Sequence, residues 1–464
     1  MLPAFAEMMG LPFSNREGWL TGSFERLVRE PRKSGHQEKL VQLSVCFPVP
    51  ASLGNCRIEM DIHSERRIEH SSENDPGAQH PAPGMENARA AVDDVGQERV
   101  VFYGFQENLD TPEQYDEKLE ERFHQILEDA SPDIVHIFGT EFPHTLAMVK
   151  CFGRPDRTLI GIEGLGCSIT ERYMADLPYY VQRRATFRDI VRKDSLMRQR
   201  DKFRARAAME KEALRMTRHV TGRTRFDRAV TARITPEAIY HTMNETLRSN
   251  FYAGQWDVHE AIPHSIFISQ GDYPLKGFHY MLEAMPLILE KFPDTHLYVA
   301  GNSIIGNVGG VLTEKKKYPM AMWITSYGLY LRRLIREYHL QDHVTMLGRL
   351  DARQMKQQYL NSQVFVCPSI MENSPNSLCE AMLLGMPVVA AKVGGIGDLV
   401  SDGEEGILFP GGRYQELAEG IKTVFYEEEL ANWLGRNARS RARVRHNPDT
   451  NFRRLLEIYR SICE

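Results

Sequence analysis

At 464 residues the chain is long enough for two or three domains, each with its own core. A net charge of −5 argues against a dedicated nucleic-acid binder, and no apolar run approaches the length of a membrane span. Seven scattered cysteines without a C-x-x-C pair point away from zinc or disulfides and toward reduced thiols in a cytoplasm, and no signal-peptide pattern opens the chain.

The opening, Met1 to Gly22, is irregular. Pro3, Gly10 and Pro12 break every apolar run of strand length before Asn15. Gly18-Trp19-Leu20 then leads into helical spacing over Ser23 to Arg29. Leu40 to Phe47 reads as a strand, and Asp75 to Gly96, rich in Gly, Pro, Ala and charge, as a loop or insertion. Strands follow at Val100 to Phe105, Ile134 to Phe138 and Thr158 to Ile162, with helical spacing over Pro112 to Leu127. Polar residues gather at and just after the last two strands, where an α/β sheet places its ligands: His136, Thr140, Glu141, His144 and Glu163. For His136 a buried, hydrogen-bonded core histidine is an equal reading.

Tyr179 to Arg218 reads as a long helical stretch with about a dozen Lys and Arg, interleaved with Phe187, Ile190, Leu196, Met197 and Phe203. Two readings stay open for residues 183–218: a solvated helix face, or a surface that makes peripheral contact with an anionic membrane. His219 to Thr221 is a further strand, leading to Arg223. Met243 to Trp256 is an aromatic-rich passage between domains.

A second α/β unit opens with the strand Ser265 to Ser269, followed by Lys276-Gly277 and a helix to Leu289. His296 to Ala300 and Val344 to Leu347 are strands, the latter ending in Gly348-Arg349. Helical spacing covers Tyr327 to Tyr338, Met355 to Leu360, Tyr414 to Phe425, Glu428 to Arg443 and Phe452 to Ile462.

The most informative stretch is VFVCPSIMENSPNSLCEAMLLGMPVVAAKVGGIGDLVSDGEEGILF, Val364 to Phe409. It reads as strand, polar loop, a helix capped by Ser377 and ended by Gly385, a buried strand from Val388 to Ala391, and a glycine loop. Glu372 and Glu380 bracket a helix start whose N–H groups around Asn376, Ser377 and Leu378 favour an anion. Acids on either side of an anion site suit a diphosphate flanked by hydroxyls.

This stretch resembles the donor-binding signature of retaining glycosyltransferases of the GT-B fold, family 4. Ser369, Glu372, Pro375, Glu380, Ala381, Met382, Gly385, Pro387, Val388, Val389, Ala390, Gly394 and Gly395 carry the resemblance. It departs at Asn373 and Asn376, where the family more often has Gly. The resemblance implies two Rossmann-like α/β domains facing across a cleft. The first, acceptor-side domain is expected over 1–255, with the helix at 446–464 packing back on it, and the nucleotide-sugar domain over 256–445. In this fold a central strand precedes the loop at Gly18, so the first domain is expected to lack its first strand, or the chain to start late.

The implied reaction is retaining sugar transfer from a nucleotide-diphosphate sugar, UDP-sugar before GDP-sugar, to a glycan or lipid-linked acceptor. It implies no cofactor and no metal. Lys276, with Gly277, contacts the donor diphosphate, Glu372 the sugar hydroxyls and Glu380 the ribose. The backbone near Arg349 meets the base. The family's usual arginine six residues before Lys276 is Gln270 here, and Arg223 is the candidate substitute from across the cleft. Gly18, Thr140, Glu141, His144 and Glu163 fall on the acceptor side, with His136 a catalytic candidate. A nucleotide-sugar epimerase or hydrolase on the same fold, and a non-catalytic binding protein, remain alternatives.

Overall fold

The computed structural model describes residues 26–27, 42–49, 54–61, 66–72, 99–108, 111–306 and 322–464. The expectations for Met1 to Gly22, including Gly18 and the absent first strand, lie outside these residues, as do those for residues 75–96. Elements are numbered below among the described residues.

The first half of the chain builds two sheets. Strands β1 (Ser44–Pro48), β2 (Cys56–Asp61), β3 (Arg66–Ser72) and β4 (Arg99–Phe105) form one sheet in the order β1-β4-β2-β3. β1 is parallel to β4, whereas β2 runs antiparallel to both β4 and β3. Strands β5 (Val135–Phe138), β6 (Thr158–Gly161), β7 (His219–Gly222) and β8 (Ile239–Thr242) form a second, parallel sheet in chain order. Helices α1 (Lys118–Ala130), α2 (Pro143–Phe152), α3 (Gly166–Arg172), α4 (Tyr179–Arg183), α5 (Phe187–Val191), α6 (Leu196–Arg215) and α7 (Arg225–Ile234) accompany them. Leu119, Phe123 and Ile126 of α1 and Leu146 and Val149 of α2 bury against the sheets at helical spacing.

The second half is one doubly wound sheet. Its strands are β9 (Ile262–Ile268), β10 (His296–Ala300), β11 (Val344–Gly348), β12 (Ser362–Cys367), β13 (Val388–Ala391) and β14 (Ile407–Phe409). All pair parallel, in the order β11-β10-β9-β12-β13-β14. The central strands β12 and β13 are buried throughout, which is why they read as unbroken apolar runs. Flanking helices are α8 (Phe278–Leu289), α9 (Ser326–Glu337), α10 (Ala352–Asn361), α11 (Asn376–Leu384), α12 (Ile396–Leu399), α13 (Tyr414–Tyr426) and α14 (Glu428–Arg445). The strand order reverses between β9 and β12, so the loops leaving their carboxyl ends face one crevice. The last helix, α15 (Pro448–Cys463), sends Leu455, Ile458 and Ile462 into a cluster with Leu27, Leu159 and Met243 of the first half.

Several sequence expectations change. The expected continuous helix from Tyr179 to Arg218 is three helices, because capping boxes and turns interrupt it: Thr186 and Asp189 cap α5, and Lys193 adopts a left-handed conformation. Tyr173, Leu177, Val181 and Leu196 from this region, expected within the first domain, pack in the core of the second half. Ser377 does not cap α11: the helix starts at Asn376, with Pro375, two residues before Ser377, in the cap position and no side-chain cap bond.

Candidate functional site

Two loops at the strand reversal approach so closely that glycine is required. Gly277 follows β9 with φ of 70°, and a Cβ there would collide with the Pro368 carbonyl oxygen after β12. Ile370 N–H completes the contact by donating to the Leu275 carbonyl at 2.8 Å. Gly394, after β13, likewise lies against the Glu372 carbonyl and has a left-handed φ of 51°. The loop carrying Glu372 is therefore wedged between the two glycine loops, and its carboxylate is aimed rather than free.

That aim brings Lys276 and Glu372 together. Lys276 Nζ lies 2.5 Å from Glu372 Oε1, and Ser369 Oγ donates to the same oxygen at 2.7 Å. Burial works against the Lys276 ammonium, but Glu372 and Tyr273 more than offset it, so its pKa is raised and it stays charged. Lys276 and Glu372 line a cavity of about 280 Å³ with Tyr273, Asn373, Glu141 and Glu163. The cavity thus has one wall from each half of the chain.

The first-half wall is acidic but internally bonded. Glu141 accepts from Thr140 N at 2.9 Å and Gly164 N at 2.7 Å. Thr140 Oγ1 donates to the buried Glu210 at 2.7 Å, which also accepts from Gly166 N at 2.8 Å. Glu163 pairs with Arg223, and Arg223 pairs on its other side with Glu245. Burial pushes the Glu163 carboxyl up to about 8, against the pull of Arg223. Arg223 is thus buried between two carboxylates and is not a spare cation facing the donor side.

The remaining donor candidates lie in the second half but do not line this cavity. Glu380, buried on α11, is paired with Arg248 at 2.6 Å, and burial raises its carboxyl to about 7 despite that partner. Arg248 comes from the passage between the two halves, and no sequence pattern singles it out. Arg349, at the end of β11, donates to Asn302 Oδ1 at 2.7 Å, and Asn302 donates to Asp272 at 3.0 Å. Asp272 Oδ1, Ser303 Oγ and Asn376 Oδ1 are buried with no hydrogen-bond partner among the described residues, all just past the carboxyl ends of second-half strands. Ser377 and Leu378 lie in the first turn of α11, where the Leu378 N–H donates to the Pro375 carbonyl at 3.0 Å.

Two residues are placed elsewhere. The His136 ring stacks on Phe138 and its Nδ1 is 2.8 Å from the Tyr459 hydroxyl of α15. His136 and Phe138 share one face of β5, and that face meets α15 rather than the cavity. His136 thus does not line the cavity, and burial pulls its pKa down to about 3. His144 is paired with Glu107 at 2.9 Å on α2. Among the described residues no group of three His, Cys, Asp or Glu is assembled as a metal site, and no helix is long and apolar enough to cross a membrane.

Asn373 joins the walls. Its Nδ2 donates to the Glu163 carbonyl at 3.1 Å, and Thr224 Oγ1 donates to its Oδ1 at 2.8 Å. A second link runs from Arg225 Nε to Asp398 at 2.5 Å.

Residues 263–441 match the family model described as glycosyl transferases group 1. The putative glycosyltransferase YtcC of Bacillus subtilis is 28% identical over 192 residues, 41% of this chain and 43% of that protein. The capsular polysaccharide biosynthesis glycosyltransferase CapM of Staphylococcus aureus is 31% identical over 189 residues, 41% of this chain and 44% of that protein. The chain thus spans less than half the length of the curated relatives it matches. In fold it is similar to Anabaena HepE solved with UDP and glucose, with a TM-score of 0.56 at 17% identity over 78% of this chain and 86% of that one. It is also similar to sucrose-phosphate synthase from Thermosynechococcus elongatus, with a TM-score of 0.54 at 19% identity over 78% and 83%. The match to glycosyl transferases group 1 thus lies in the second half of the chain, and the two-domain α/β architecture with its strand reversal is that of the GT-B fold.

Proposed function

We propose that the chain transfers a sugar from a nucleotide-diphosphate sugar to a glycan or lipid-linked acceptor, with retention at the anomeric carbon. The observation that carries this is the Lys276–Glu372 pair at the strand reversal, facing Glu141 and Glu163 across one cavity. A departing diphosphate needs positive potential. Lys276 supplies it as a fixed ammonium, and the start of α11 supplies N–H groups and a helix dipole. When phosphate takes Lys276, Glu372 is released to accept from sugar hydroxyls. Glu380 is the ribose candidate, exchanging Arg248 for hydroxyls, and Arg349, at the end of β11 and bonded to Asn302, is the candidate beside the base. Metal independence belongs to this reading, since Lys276 and the helix start provide the charge.

The acceptor enters against Glu141 and Glu163. Among the described residues no second-half carboxylate other than Glu372 lines the cavity, so the leaving diphosphate is the base we assign to the acceptor hydroxyl. UDP-sugar is the favoured donor and GDP-sugar the next. The likeness in fold to Anabaena HepE, a protein solved in complex with UDP and glucose, supports this order.

A thermal-shift panel of UDP-, GDP-, ADP- and TDP-sugars tests donor binding, because a ligand of the folded state raises the melting temperature. The shifting donor is then incubated with candidate acceptors and the product's anomeric configuration is read by NMR. No shift with any donor overturns the reading, and inversion overturns its retaining part. Free sugar or an epimer formed without acceptor would indicate a hydrolase or epimerase instead.

A further inference from the structure

We propose that the outward face of α5, with the cations on either side of it, docks on the surface of an anionic bilayer. Phe187, Ile190 and Val191 are spaced i, i+3, i+4 and share one side of the helix. They are 63%, 66% and 64% exposed. Five of the twelve large apolar side chains exposed among the described residues fall between Tyr179 and Val191, so the patch is local rather than a general surface property. Arg183 and Arg184 precede it and Arg192 and Lys193 follow it, all exposed.

The opposite side of α5 is fixed, so the apolar face cannot turn inward. Asp189 is buried, closes a capping box with Thr186 and accepts from Ser326 N at 3.0 Å. Thr186 Oγ1 donates to the Ile324 carbonyl at 2.7 Å. The nearby acids are also engaged: Asp189 in these bonds, and Asp194 with Arg188 at 2.5 Å. Between Arg183 and Lys193 the four flanking cations therefore have no exposed acid among them to offset their charge.

The rest of the basic run does not share this character. On α6, Arg200 and Arg204 share Asp201 at 3.4 and 3.2 Å, Lys202 faces Glu113 at 3.7 Å, and Arg206 donates to the Glu141 carbonyl at 2.5 Å. The docking surface is thus 179–193, not the whole of 183–218. Its chemistry selects the partner. A two-fold contact with a second copy would set the same cations against each other, whereas a bilayer rich in acidic headgroups neutralises them and accepts the three apolar side chains. At five residues α5 is about 7.5 Å long and can only lie at the interface. Tyr173, just before this segment, packs on Phe203, which lines the cavity, so docking would set the cleft beside the headgroups.

The test is co-sedimentation of the full chain with phosphatidylcholine vesicles, with and without phosphatidylglycerol. No nucleotide-sugar is present, so the result is separate from the transfer reaction. Binding is expected only with phosphatidylglycerol, and should be released at about 1 M salt, where the screening length is about 3 Å. Arg192→Ala and Lys193→Ala should each weaken it about fivefold. The triple variant Phe187→Ser, Ile190→Ser, Val191→Ser should weaken it by roughly tenfold or more, with an unchanged melting temperature because the side chains are exposed. Failure of the wild type to pellet with acidic vesicles overturns the proposal. So does a triple variant that pellets like the wild type, or one that instead loses self-association in sedimentation velocity without lipid.

Discussion

Thr224 donates to Asn373 at 2.8 Å across the cleft, and so joins the loop between β7 and α7 to the loop that carries Glu372. Asn373 passes the link on to the Glu163 carbonyl at 3.1 Å. The glycine more usual at this family position has no side chain with which to make either bond. Asn373→Gly removes two hydrogen bonds worth about 1 kcal/mol each. Small-angle scattering of the variant without nucleotide-sugar should show a larger radius of gyration, with unchanged far-UV circular dichroism. An identical scattering profile would show that these bonds do not hold the two halves together.

Lys276 and Glu372 should separate kinetically. Lys276→Ala removes the fixed cation and should weaken donor binding by about 1.5–3 kcal/mol, the range for hydrogen bonds to charged groups. Glu372→Gln keeps the shape but loses the charged acceptor, and should lower kcat more than it changes KM. Steady-state kinetics on the cognate donor separates the two. Wild-type constants in both variants would remove the site assignment.

Glu380 carries a structural duty beside any contact with ribose. Glu380→Ala strands the Arg248 guanidinium in a largely buried place and should cost about 3–5 kcal/mol of stability. The double variant Glu380→Leu, Arg248→Met removes both charges and should cost less than Glu380→Ala alone. Urea unfolding of the three proteins measures this, and equal stabilities would mean the pair is idle. Loss of nucleotide binding in Glu380→Ala is therefore to be read only at temperatures where the variant is folded.

The second half of the fold was legible because its central strands β12 and β13 are buried on both faces and its loops are punctuated by Gly277, Gly385, Gly394 and Gly395, each fixed by a backbone need. The first half was less so. β2 and β3 pair as an antiparallel hairpin, and β2 carries Arg57 and Glu59 on either side of Ile58, so it has no long apolar run. The sequence assigned Lys276 and Glu372 to one donor site through the family resemblance, but not their contact with each other. The Arg248–Glu380 and Asn373–Thr224 contacts were not legible either, since each joins residues more than a hundred positions apart and only the packing of the two halves brings them together.

Charge from Lys276 and the α11 start makes a divalent cation unnecessary for the proposed transfer. EDTA should leave the rate nearly unchanged. A rate that collapses with chelator and returns with Mg²⁺ or Mn²⁺ would count against the proposed role of Lys276.

Stability should peak near neutral pH and fall on both sides, for two opposite reasons. His279 is buried, with Nδ1 3.0 Å from the Tyr327 hydroxyl and Nε2 3.2 Å from the Ala175 carbonyl, and burial pulls its pKa down to about 4. His241 and His446 are likewise depressed to about 4 by burial, and His136 to about 3. As pH falls below about 6.5 the unfolded chain takes up protons that the folded chain refuses, so stability is lost between about 6.5 and 4. For His279 alone the loss is roughly 3 kcal/mol, at 1.36 kcal/mol per pKa unit. On the alkaline side burial raises Glu380 to about 7 and Glu163 to about 8. Their folded carboxyls keep protons that the unfolded chain has already released, so their contribution is present below about 4.5 and is lost as pH rises through 7 and 8. Melting temperature measured from pH 4 to 9 should give this dome. His279→Gln, which can still donate to Ala175, should flatten the acid limb and leave the alkaline limb in place. An acid limb of unchanged slope in that variant would remove His279 from the account.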